Sequence, residues 1–147
     1  MVRTSNIAEN LPWAVAALFF CLRFTLPGDT VYIFDESLFQ IRIDEHMANG
    51  TFPWTSFWGS SLPIPYGAGG LWFYFILRLF TWNPIPIVLC HIGLQVGSAL
   101  ILIGALRRAF GKEAAGWAAL LIATSPLHFF FSRHPWDNTL LMPLGAL

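Results

Sequence analysis

The run PIPIVLCHIGLQVGSALILIGAL, Pro84 to Leu106, contains no Asp, Glu, Lys or Arg. A membrane span needs about 20 mostly apolar residues, so this run restricts the chain to a bilayer or to a large dry core. Composition decides between them. Of 147 residues, 56% are hydrophobic and only 11% are charged, whereas a soluble domain carries about 25% charged residues. The sequence predicts a helical membrane protein. A formal net charge of +0 supplies no basic field for nucleic acid, and no nucleic-acid partner is expected. Cys21 and Cys90 sit in separate apolar runs and read as small buried hydrophobes, not as a disulfide.

Two further runs approach the length of a span, Leu11–Leu26 and Ala114–Phe131, and another starts near Thr139 and reaches Leu147. The expected fold is therefore all-α and polytopic. It has three transmembrane helices (11–26, 84–106 and 114–131), the start of a fourth (139–147), and a long outer loop (27–83). The first run offers no small-x-small cleavage site, so it reads as a retained span and not a signal peptide. Within it, Arg23 is expected to snorkel to an interface. The basic cluster Arg107, Arg108 and Lys112 places its turn on the cytoplasmic side, with Arg3 and the N-terminus. Gly67–Phe80 is too short to cross and is expected to lie in the outer interface. The outer loop holds five of the eight acidic residues and two of the eight basic ones. Because the sequence stops inside an apolar run, it reads as the N-terminal part of a longer protein, inactive by itself.

Four carboxylates fall close together in FDESLFQIRIDEHMANG: Asp35, Glu36, Asp44 and Glu45. Phe34–Ala48 reads as a helix with Asp35 as N-cap, Glu36 at the positive end of the dipole, and Asn49-Gly50 closing it. Phe34, Leu38, Ile41 and Ala48 form an apolar row expected to bed on membrane or neighbouring helices. Spacing leaves two readings open, a solvated capped helix or a catalytic base at the membrane edge. In the later turn SRHPWDN, Arg133 either pairs with Asp137 at i+4 or serves a ligand, and Trp136 suits an interfacial anchor. His91 and His128, alone in apolar runs, are expected to make helix-packing hydrogen bonds. The pattern Asn49-Gly50-Thr51 matches a glycosylation acceptor and is read as coincidence.

FDESLFQIRIDEHMANGTFP, then LPIPYGAGGLWFYF, the basic turn RRAFG, and Ser125-Pro126 followed by SRHPWDNTLL occur in an order that resembles the GT-C membrane glycosyltransferases. The likeness is to protein O-mannosyltransferases and the aminoarabinose transferases of lipid A. The resemblance implies transfer of a sugar from a polyprenyl-phosphate donor to a hydroxyl of a lipid, glycan or protein acceptor. The reaction would occur at the outer face of a bacterial plasma (inner) membrane. It implies Asp35 as general base, Glu36 as its partner and Asp137 in the same cavity. A positioned carboxylate can take the acceptor proton, and the leaving phosphate needs a cation. Relatives carry Lys or His before a double proline, where this chain has Ser61-Leu62-Pro63, and Tyr where it has Phe39. Arg133 and His134 are the substitute cations. No metal site is assigned and no cofactor is certain. A divalent cation between Asp35 and Asp137 is the alternative. Other classes consistent with the sequence are a non-enzymatic membrane subunit, a transporter fragment and a degenerate inactive fragment.

Overall fold

A computed structural model describes the backbone at residues 3–29, 34–58, 65–67, 69–135 and 145, and the side chains at 10–29, 38, 40–54, 71–135 and 145 among them. The element order is α1 (Arg3–Leu22), a 3-10 turn (Pro27–Asp29), α2 (Phe34–Ala48), β1 (Thr55–Trp58), β2 (Pro65–Gly67), α3 (Gly69–Arg78), α4 (Pro84–Thr124) and α5 (Pro126–Arg133).

Helix α4 starts where Asn83 turns its side chain back to accept from the Ile85 amide at 3.0 Å. Pro84, at the first helical position, has no N–H to leave unpaired. The helix continues to Thr124 but bends sharply at Gly111, whose φ of 88° is non-helical. That conformation is open to glycine and costly for side chains with a Cβ. A straight helix would carry His91 about 50 Å from Thr124. Yet His91 Nε2 lies 3.4 Å from the Phe131 carbonyl, so α4 folds back into two arms, 84–110 and 112–124.

The two arms and α1 pack as three rods. Lys112 Nζ donates to Asn10 Oδ1 at 3.0 Å at one end, and Arg23 donates to Ile122 and Ala123 at the other, so α1 runs parallel to the second arm. The core combines Val88, Ile92, Val96, Ala99 and Ile103 of the first arm with Ala115, Ala119 and Ala123 of the second and Ala16 and Phe20 of α1. Alanines four residues apart keep one face of the second arm low, which lets helices approach closely. Gly116 shows how close: a Cβ there would lie 2.8 Å from Trp13 Nε1.

A second layer covers the start of α4. Ile43 of α2, Leu71, Tyr74 and Phe75 of α3, and Ile87 of α4 form its core. Helix α2 spans the expected residues, and a Schellman arrangement closes it: Thr51 N donates to His46 O at 2.9 Å and Gly50 N to Met47 O at 3.2 Å. β1 and β2 pair antiparallel, Thr55 opposite Gly67 and Trp58 opposite Pro65.

Several expectations are corrected. The fold is not three spans and the start of a fourth. Among the described residues one helix, Pro84–Thr124, is long and apolar enough to cross a membrane. The apolar part of α1, Asn10–Leu22, is about 20 Å long, short of a hydrocarbon core of about 30 Å. The expected third span is broken at Ser125, whose ψ is 119°. Pro126 has no amide hydrogen and its ring excludes the helical conformation before it. The run from Thr139 lies outside the described residues, apart from a helical Gly145. Asp35 falls inside α2 and so is not its N-cap. On that helix Ile43 is buried while Leu38, Ile41 and Ala48 are exposed, so these three do not bed on neighbouring described helices; the Phe34 side chain lies outside the described residues. Cys21 and Cys90 are both exposed. The short β-hairpin, absent from the sequence reading, occupies part of the long loop.

Candidate functional site

Helix α5 begins with Ser125, whose hydroxyl accepts from the His128 amide at 3.3 Å, and ends at His134, whose amide donates to Phe131 O. Eight residues long, it projects Phe129 and Phe130 from its side and Arg133 and His134 from its C-terminus. These four residues, with Phe19 of α1, Asp29, Thr124 and Pro126, line a cavity of about 520 Å³. Its walls are mostly ring and aliphatic carbon, and its charged groups are Arg133 and Asp29. This polar and aromatic end of the bundle is the end where α4 begins, opposite the exposed Arg107, Arg108 and Lys112.

Both predicted cations are held in place. Arg133 Nη2 donates to Leu26 O at 2.7 Å, and its guanidinium lies 5.7 Å from the centre of the Phe129 ring. The carbonyl it meets belongs to a residue with φ 48°, in the turn that leads out of α1. One of the five arginine donors is thereby used to fix the group, and the fork remains able to meet an anion. His134 is buried and stacks on Phe130 at 4.0 Å between ring centroids. Its Nδ1 lies 2.9 Å from Phe130 O. A carbonyl only accepts, so Nδ1 carries the hydrogen.

Arg23 does not line the cavity but packs against Phe129, which does. It is 0% exposed, so the expected snorkelling to an interface does not occur. It donates to the carbonyls of Ile122 and Ala123, each at 3.0 Å, and to His128 Nδ1. Its guanidinium is 5.0 Å from the Phe20 ring centre and 5.8 Å from that of Phe129. The last carbonyls of a helix have no intrahelical partner and form the negative end of its dipole. Arg23 therefore seals the end of α4 and props the Phe129 ring that walls the cavity. His128 must accept at Nδ1, which places its hydrogen on Nε2. His91, the other solitary histidine, lies 2.9 Å from Tyr74 Oη through Nδ1, tying the bundle to the second layer. Both histidines thus make the packing hydrogen bonds expected of them.

Of the predicted site residues, Arg133 and His134 are brought to one cavity. Asp35 and Glu36 are in the first turn of α2, with side chains outside the described residues, and Asp137 and Trp136 lie outside them altogether. Asp44 and Glu45 are accounted for as ion pairs. Arg78 grips Asp44 through Nε at 3.0 Å and Nη2 at 3.1 Å, and Arg42 meets Glu45 at 3.1 Å. Sequence reasoning passed over Asp29 because no neighbouring motif marks it; its place beside the later α5 comes from the fold alone. No cluster of three or more His, Cys, Asp or Glu suited to a metal occurs among the described residues. Comparison of the chain with protein-family models, curated proteins and solved structures finds no match.

Proposed function

We propose that the chain belongs to the membrane part of a GT-C type glycosyltransferase and binds a polyprenyl-phosphate sugar donor at the α5 cavity. The enzyme would work in the plasma membrane of a bacterium, passing the sugar to a lipid, glycan or protein hydroxyl at its outer face. The observation that carries this reading is the pairing of an aromatic-walled cavity with Arg133 and His134 at one end of an apolar helix bundle. Phe19, Phe129, Phe130 and Pro126 suit the first isoprene units, and Arg133 suits the phosphate, which it can meet with parallel donors. In this assignment Asp35 takes the acceptor proton, Glu36 supports it and Asp137 borders the donor. These three roles rest on the order of motifs in the sequence.

Binding of undecaprenyl phosphate to the purified chain in detergent, followed by native mass spectrometry, tests the donor site. The lipid phosphate is expected to bind, and Arg133→Ala to weaken it by at least about tenfold, the worth of one hydrogen bond to a charged group, ~1.5–3 kcal/mol. Equal binding of the uncharged polyprenol, or an unaffected Arg133→Ala variant, would refute a phosphate site at α5.

A further inference from the structure

Helix α3 is apolar on both sides, although only one side is covered. Leu71, Tyr74 and Phe75 are buried against Ile43 and Ile87. On the other side Trp72 and Ile76 are exposed, and so are Leu79 and Phe80 in the turn that follows the helix, Phe80 to 83%. A helix that is hydrophobic all round is normally enclosed. The exposed stripe continues onto neighbouring segments. Phe52 packs its ring 5.2 Å from Trp54 and 5.8 Å from Trp72, and Trp72 Nε1 donates to Pro53 O. Trp54 and Trp82 stand 76% and 62% exposed. Neighbouring α2 differs: its exposed Leu38 and Ile41 are interrupted by the Arg42–Glu45 ion pair, which suits water.

The position of this surface identifies what covers it. Trp82 and Asn83 lead directly into Pro84, and Arg78 holds both the Trp82 carbonyl and the face of its ring, 4.5 Å away. Phe75, beneath Phe52, contacts the same core as Ile87 in the first turn of α4. The aromatic surface is therefore fixed at the N-terminal end of the one helix among the described residues that is long and apolar enough to cross a membrane. From Pro84 to Leu106 that helix is about 34 Å long, close to the hydrocarbon thickness, and Arg107 and Arg108 follow at its far end. Tryptophan belongs where hydrocarbon meets headgroup, with its ring in the apolar zone and its N–H in the wet one.

We infer that Trp54, Trp72, Ile76, Leu79, Phe80 and Trp82 form a lipid-facing shelf that seats the α2–α3 layer in the headgroup zone of the bilayer crossed by α4. The inference rests on the membrane placement proposed above and not on glycosyl transfer. A charged, gripped Arg78 and a mixed α2 face give the shelf a wet edge, while its aromatic underside enters the membrane. This fixes the height of the α5 cavity relative to the lipid surface, since both adjoin the same end of α4.

The test uses the full chain in phosphatidylcholine vesicles that carry a nitroxide either at the headgroup or deep in the acyl chain. Tryptophan emission of the protein is compared with that of Trp54→Phe and Trp82→Phe, whose exposed rings make misfolding a small risk. The difference spectra should be blue-shifted from those in detergent-free buffer with 8 M urea and quenched more by headgroup nitroxide than by the deep label. Cys90, exposed on α4 about 9 Å beyond its start, supplies the control in a Cys21→Ser background. It should resist a membrane-impermeant maleimide until detergent is added. Protected Cys90 with Trp54 and Trp82 quenched by aqueous iodide would overturn the shelf and leave the membrane placement standing. Protection of the tryptophans from both lipid nitroxide and iodide would assign the surface to a second copy instead. Reactive Cys90 in intact vesicles would overturn placement and shelf together.

Discussion

The two cores among the described residues are built on opposite principles. In the three-rod bundle the fully buried side chains of the second arm are alanines, Ala115, Ala119 and Ala123, with Ile122 packed at their edge, and Gly116 meets the Trp13 ring directly. In the layer over the start of α4, Ile43, Leu71, Tyr74 and Phe75 fill the space with large side chains. Between helices surrounded by lipid there is little hydrophobic drive, because the tails are as apolar as the core, and close contact of small residues supplies the attraction. At an edge bathed by water, burying large apolar surface is itself favourable. The contrast is what the membrane placement proposed above would produce, and it says which substitutions each core should resist.

The layer should be most sensitive to truncation. Ile43 is 0% exposed at the centre of its cluster, and Ile43→Ala is expected to cost about 2–5 kcal/mol through lost burial and an unfilled cavity. Thermal unfolding in detergent, followed by near-UV circular dichroism of the aromatic layer, should show an early transition there. Helical signal from the bundle should persist beyond it, and a single coincident transition would show the two cores to be one cooperative unit. The bundle should instead be sensitive to enlargement. Ala119→Leu inserts three carbons between α1 and the arms and is expected to cost about 1–3 kcal/mol by overpacking. The main far-UV transition should fall while the aromatic signal is spared; an unchanged midpoint would mean that the rods are not closely packed at that position.

What the sequence displayed was local. Helix α2 was legible from Phe34 to Ala48 because its closing signal, Asn49-Gly50, is a local one. The start of α4 at Pro84 was legible from the onset of an uncharged apolar run, and the turn near Gly111 from the basic residues that interrupt it. Counting spans failed because hydropathy averages over a window and ignores one residue in it. Pro126 breaks an otherwise apolar run, and what remains on either side is too short. The fate of Arg23 was illegible because its partner His128 lies 105 residues away, and nothing local distinguishes a snorkelling arginine from one that caps another helix. Arg133 and His134 could be named from residue type and motif order, but the cavity that both line could not. The presence of Asp29 in that cavity depends on the turn after α1 meeting the end of α5, tied by the Arg133–Leu26 hydrogen bond.

The smallest expected effect concerns the joint between α2 and α3. Arg78 grips Asp44 with two nitrogens, and the Asp44 side chain is 41% exposed while that of Arg78 is 11% exposed. An ion pair so open to water is worth only about 0.2–1 kcal/mol, so Asp44→Ala should lower the transition of the aromatic layer slightly and leave the bundle transition in place. The geometric consequence is larger than the energetic one. Arg78 also holds Trp82 through its carbonyl and its ring, and loss of Asp44 frees the guanidinium to turn. If the pair sets how the shelf meets the lipid, Asp44→Ala should change Trp82 quenching by headgroup nitroxide with almost no change in stability. If quenching is unaltered, Trp82 is placed by the start of α4 alone, and the α2–α3 joint contributes to stability only.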